Sequence, residues 1–233
     1  MSLAELSRTV PFGLGVTLAA YAVGVRLQRR LGGSQLFQPV LFASLSIAIF
    51  LWRVGIVGAD YRIGADLVHQ MLGPATVALA VPLHRQLGRI RSALLPVLAS
   101  IMTGSVVASG VAVGVAWLLG ASRLTLLSIA PKSVSTPIAI GVSEAVGGDP
   151  GRAVLCVVFT GILGAASGAW IFRVLRVRDA RARGLGLGVA AHGIGTSRAL
   201  QMGETDGAFS GLAMGLTGLV TATLLPVVVE LFG

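Results

Sequence analysis

Charge, cysteine and aromatic rings are all scarce in this chain of 233 residues. Only 12% of its residues are charged, about half the share of an average soluble domain. By contrast 55% are apolar, and the mean hydropathy is +0.87. That composition excludes intrinsic disorder, which needs low hydrophobicity. Cys156 is the only cysteine, so neither a disulfide scaffold nor a multi-thiol zinc site can be built. Aromatic residues make up 6%, too few for a base-stacking platform. Missing too are a Gly-x-Ser-x-Gly elbow, a His-Glu-x-x-His zinc motif and a Walker loop. The chain is therefore expected to be no enzyme and no ATP-driven pump, and to need neither a cofactor nor a metal. A hydrolase built from Ser133 or Ser135 with His192 would lack an orienting acid.

The class that combines such apolarity with long uncharged runs is the polytopic all-α membrane protein. Apolar runs cover 9–25, 36–57, 66–83, 93–119, 124–142, 153–175, 184–201 and 207–232, which implies about seven or eight membrane segments. The first run does not read as a cleaved signal peptide, because its basic cluster follows it. The net charge of +9 comes from arginines clustered between runs, at 26–30, 85–91 and 173–183. That is the pattern of cytoplasmic loops, and nucleic-acid binding is not expected. With all three clusters on one side, 124–142 must be re-entrant. The alternative is a broken helix that crosses fully, with one cluster breaking the rule.

Three runs carry helix breakers where a plain span would have Leu or Val. Run 66–83 contains Gly73-Pro74-Ala75-Thr76, run 124–142 contains Pro131-Lys132-Ser133-Val134-Ser135-Thr136-Pro137, and run 184–201 contains His192-Gly193-Ile194-Gly195-Thr196-Ser197-Arg198. Irregular backbone survives at membrane depth only inside protein or beside a wet cavity, and transporters place binding sites at such breaks. A weak repeat at an offset of 57 pairs about 66–119 with 124–175 in a single membrane domain. Gly-x-x-x-Gly spacings, such as Gly164 with Gly168 and Gly184 with Gly188, allow close helix approach.

Lys132 is the one lysine, and it lies inside an apolar run between Pro131 and Pro137. An intramembrane cation costs about 2.5–3.5 kcal/mol on insertion scales and marks a functional position unless it snorkels to the headgroups. It could hold a carboxylate, pair with Glu144, or change protonation. Gly193 and Gly195 permit tight turns, and Thr196 or Ser197 could cap a half-helix whose terminus suits an anion. Arg198 supplies a fixed charge and His192 a titratable one. Lys132, Ser133, Thr136, Gly193, Gly195, Thr196 and Arg198 are the expected substrate-binding residues. His192 and Glu144 are candidates for ion coupling, while Pro74, Thr76, Pro131 and Pro137 mark the breaks.

At these same stretches the chain resembles the LrgB/CidB family of bacterial membrane proteins and the C-terminal part of the plastid glycolate/glycerate translocator. The resemblance rests on 73–83, on 131–139, on 192–199 and on Gly207-Ala208-Phe209-Ser210-Gly211-Leu212-Ala213-Met214-Gly215-Leu216. The family usually has Thr where this chain has Ser135, and often Asn where it has Thr217. The resemblance implies a multi-pass protein of the bacterial cytoplasmic membrane. It also implies one of two functions. One is antiholin-like regulation of murein hydrolase export and cell lysis, with a small LrgA/CidA-type partner. The other is transport of small 2-hydroxy or 2-oxo acids such as glycolate, glycerate or pyruvate; a coupling ion, proton or sodium, is expected from the buried cation and the broken segments. A buried lysine and broken helices favour the carrier.

Overall fold

The computed structural model describes residues 3–31, 39–71, 74, 77–78 and 80–232; they are helical, with no strand among them. Among the described residues four helices are long and apolar enough to cross a bilayer: Val10–Arg30, Leu94–Leu118, Pro150–Val174 and Glu204–Leu231. Their outward faces carry bare aliphatic side chains, with Leu95, Leu118 and Leu119 at 76–82% exposure, as expected where lipid is the solvent. The chain is an all-α polytopic membrane protein. It divides into two units, 1–78 and 79–233.

The first unit contains α1 (Leu3–Ser7), α2 (Val10–Arg30), α3 (Pro39–Val54), α4 (Gly58–Gly64) and α5 (Asp66–Gln70). Pro11 opens α2, in the first turn, where a missing N–H leaves nothing unpaired. Gly24 lets α2 lie against Pro39 and Phe42, and Gly13 does the same against Gly64. Arg8 and Asp60 pair at 2.9 Å. Helix α3 has 16 residues, roughly 24 Å, which is shorter than the expected run 36–57; residues 36–38 lie outside the described ones. So do Gly73, Ala75 and Thr76, while Pro74 is helical and exposed.

The second unit holds α6 (Ala80–Arg85), α7 (Leu87–Ser92), α8 (Leu94–Leu118), α9 (Arg123–Ile129), α10 (Thr136–Ala145), α11 (Pro150–Val174), α12 (Ala180–Met202) and α13 (Glu204–Phe232). Helices α9 and α10 form a hairpin. Past α10 the chain returns to the side of α9: the Asp149 amide donates to Ser128 Oγ in its last turn at 2.8 Å, and Arg152 Nη1 reaches back to donate to Thr125 Oγ1 in its first at 2.8 Å. Run 124–142 therefore enters and leaves at one end, the re-entrant alternative.

Helix α12 also reverses. Near its start, Arg183 pairs with Asp206 at 2.8 Å, and Gly184 lies against the Asp206 carbonyl. Near its finish, Leu200 packs on Gly207. A straight helix would hold residues 184 and 200 roughly 24 Å apart, so both cannot reach the same turn of α13 unless the chain folds back. The reversal is at His192, with φ 40 and ψ −130. This second hairpin enters from the arginine end, where Arg85 meets Glu204 at 3.6 Å and Arg89 donates to Thr205. Clusters 85–91 and 173–183 thus share one end, as the charge pattern requires.

Hairpin plus long span recurs in this unit: α9 to α11, then α12 to α13, starting at Arg123 and Ala180, 57 residues apart. The hairpins enter from opposite ends of α11. The expected repeat of 66–119 with 124–175 shares this offset, but part of its first copy lies outside the described residues.

Candidate functional site

The first hairpin turns because two prolines leave no continuous hydrogen-bond ladder. Pro131 has no N–H to give, and Pro137 sits in the opening turn of α10. Between them, the amides of Lys132 and Val134 bond back to Ile129 and Pro131. Pro131, Ser133 and Val134 are buried, while Lys132 and Thr136 are half-buried. Lys132 Nζ donates to Ser133 Oγ at 3.0 Å. Among the described residues it has no ion pair. Glu144 is exposed near the far end of α10, and the structure does not bring it to Lys132.

The second tip is built around His192, which is 4% exposed. Its Nε2 lies 3.0 Å from the Val157 carbonyl on α11. A carbonyl only accepts, so this contact puts the proton on Nε2 and leaves Nδ1 for another group. Gly161 makes room for the ring, since a Cβ there would meet both Cε1 and Nε2 at 2.8 Å. Gly195 lies against the Leu187 carbonyl, letting the two arms touch. Thr196 Oγ1 donates to the His192 carbonyl at 2.9 Å and so accepts from Ser210 Oγ, also at 2.9 Å. The second arm begins at Gly193, at the break itself, rather than at a Thr196 or Ser197 cap.

The two tips meet midway along α11 and α13. Val134 and Ala139 of the first pack on Val157, whose carbonyl holds the second. Lys132 lies within electrostatic reach of both His192 and Cys156. On α13, Thr196 faces Ser210 and Met214, while Ile138 meets Gly218 one turn on. Ser105 of α8 donates to Thr217, 3.3 Å away at the same level. Sequence reasoning missed Cys156, Ser210 and Thr217 as neighbours of the tips. The signal for α13 was there: 210, 214 and 217 stand at i, i+4 and i+7, one helix face.

Arg198 is on the second arm, toward the arginine end. Its Nη1 donates to Gln201 at 3.2 Å, and its Nε is buried without a partner among the described residues. Among the described residues Glu204 does not pair with it. Gly193 and Pro137 are exposed, and Thr76 lies outside the described residues. Among the described residues no three His, Cys, Asp or Glu side chains cluster as metal ligands do.

At the foot of the second hairpin Asp179 caps α12, accepting from the Arg181 amide at 2.8 Å and its guanidinium at 2.7 Å. Those bonds hold its carboxyl down at about 2 and raise the Arg181 guanidinium.

The sequence profile of the LrgB-like family matches residues 17–231. The chain is 32% identical over 223 residues to the antiholin-like protein LrgB of Bacillus mycoides strain KBAB4, covering 95% of this chain and 96% of that one. The antiholin-like proteins LrgB of Bacillus cereus strain B4264 and Bacillus anthracis strain CDC 684 match over the same shares at the same identity. No solved structure matches the chain.

Proposed function

The chain belongs to the LrgB-like family, and from that premise and the opposed hairpins we propose that it is a secondary transporter of small monocarboxylates. The observation that carries this reading is that two hairpin tips, entering from opposite ends, both rest on Val157, with a half-buried lysine on the first of them. Each second arm starts at its tip, at Thr136 and Gly193. Two helix N-termini therefore bring unpaired N–H groups and partial positive charge to the level of Lys132. Each first arm runs toward its tip with its C-terminal, partly negative end, a field that suits a coupling proton or sodium.

In this reading Lys132 and the amides from Gly193 to Thr196 bind the substrate carboxylate. Ser133, Thr136 and Thr196 reach its hydroxyl or keto oxygen, and the orphaned Nε of Arg198 draws the anion along the second arm. His192, with Nδ1 uncommitted, carries a coupled proton. Glycolate, glycerate and pyruvate are the class that the resemblance to the plastid translocator suggests. Uptake of each, and of lactate, into proteoliposomes tests it. Saturable, gradient-driven flux is expected; its absence for all of them, with a small LrgA/CidA-type partner present, would sink the proposal.

The second reading, an antiholin-like regulator of murein hydrolase export and cell lysis, has the relatives' own names in its favour. Release of murein hydrolase activity on expression, without any acid flux, would establish it in place of the carrier.

A further inference from the structure

The C-terminal end of α11 and the base of the second hairpin enclose a cleft of about 370 Å³. Four arginines line it: Arg173, Arg176, Arg178 and Arg183. Arg183 is committed, with Nε and Nη2 on Asp206 and Nη1 on the Arg178 carbonyl. The other three have no acidic partner among the described residues, and neighbouring Asp179 is held by Arg181. Cytoplasmic arginines are ordinary in a membrane protein, but three unneutralised guanidinium groups around one concavity are more than anchoring requires.

The backbone supplies a second, independent observation. Helix α11 ends with the Val177 amide on the Phe172 carbonyl at 2.8 Å, and Arg176 just before it has φ 54. That left-handed position closes many helices and is usually glycine, since a Cβ is strained there. Glycine is abundant in this chain, with 32 copies, yet arginine stands here and its side chain lines the cleft.

We infer that this cleft binds a phosphate-bearing anion. Guanidinium forks match phosphate oxygens two at a time, and Phe172 and Met202 give the cleft an apolar wall. The phosphate belongs either to an anionic phospholipid of the cytoplasmic leaflet or to a soluble phosphate compound. Arg173 ends α11, whereas Arg183 and Met202 are the two feet of the hairpin. A bound phosphate would tie the hairpin base to the span.

The test uses the full chain in detergent and reads its melting midpoint. Phosphatidylglycerol and sodium pyrophosphate are titrated separately, against phosphatidylcholine and sodium chloride at matched ionic strength. A saturable rise is expected with one probe or both: phosphatidylglycerol alone identifies the lipid source, and pyrophosphate the soluble one. Arg173→Gln with Arg176→Gln and Arg178→Gln should abolish the rise, while Arg26→Gln with Arg29→Gln and Arg30→Gln, equal in charge, should keep it. Arg176→Gly gives a further reading. Relief of the positive φ should raise its midpoint without ligand, and loss of the side chain should shrink its gain with ligand. No saturable rise with either probe, or equal losses in both triple variants, overturns the inference.

Discussion

His192 Nε2 and the Val157 carbonyl, 3.0 Å apart, join the tip of one hairpin to the span against which the other hairpin packs. Val157 is also the residue on which Val134 and Ala139 rest. A movement of either tip is therefore felt by the other through a single turn of α11. His192→Gln separates this mechanical role from a proton-carrying one, because a glutamine amide can still donate to Val157 but does not titrate. The variant should exchange internal for external substrate at close to the wild-type rate yet fail to concentrate it in response to a pH gradient. Loss of both activities together would leave His192 with packing alone.

The base of the same hairpin depends on Arg183 and Asp206, two side chains joined by a pair of hydrogen bonds at 2.8 and 3.1 Å. Asp206 is 2% exposed, so Arg183→Gln would strand a buried carboxylate. Breaking a buried pair from one side costs about 3–5 kcal/mol. Since Arg183 is itself a quarter exposed, the lower end is expected. Thermal unfolding in detergent should show a clear drop for Arg183→Gln and a smaller one for Arg183→Met combined with Asp206→Leu. Equal drops would mean the pair does not fix the foot of α12.

Both hairpins make a topological prediction. In a Cys156→Ser background, Glu144→Cys should react with an impermeant maleimide from outside intact cells. Arg89→Cys and Arg178→Cys should react only after the membrane is opened. Labelling of Glu144→Cys solely from the cytoplasm would contradict the return of the chain past α10 to the side of α9.

What the sequence made readable follows from local chemistry. Pro131 and Pro137 announce a break because proline lacks an N–H, and the arginine clusters announce a side because charge stays out of lipid. The reversal at His192 was not readable in the same way. Gly193 and Gly195 drew the expected turn toward themselves, yet Gly195 is used for contact with the Leu187 carbonyl and the positive φ falls on histidine. Nor does a helix-breaking motif say whether the chain continues or folds back. Only contacts remote in sequence, Gly184 on Asp206 and Leu200 on Gly207, decide that. Gly164 and Gly168 serve this second hairpin as well, against Ala191 and Leu187, whereas Gly110 and Gly114 face open space. One spacing motif thus has two uses that sequence alone does not separate.

Cys156 offers a native reporter of occupancy. It is the only cysteine, is partly accessible, and lies within electrostatic reach of Lys132. A carboxylate held by Lys132 should slow its alkylation by a small maleimide, with half-protection at the concentration that half-saturates transport. Alkylation rates unchanged by any transported acid would place the substrate elsewhere.

Lys132 carries the sharpest prediction. Its ammonium has one neutral partner, Ser133 Oγ at 3.0 Å, and no ion pair among the described residues, so its charge is available at the level where two helix N-termini also point. A hydrogen bond to a charged group contributes about 1.5–3 kcal/mol net, which is roughly a tenfold to hundredfold change in affinity. Lys132→Met should weaken substrate binding by at least the smaller factor. Lys132→Arg should restore it only in part, because a planar fork does not occupy the place of a compact ammonium beside Ser133. A snorkelling lysine behaves differently: its removal would change insertion or melting and leave the half-saturation constant alone. Affinity from counterflow, read beside the melting midpoint, separates the two. Wild-type affinity in Lys132→Met would exclude the residue from the site, whatever its effect on stability.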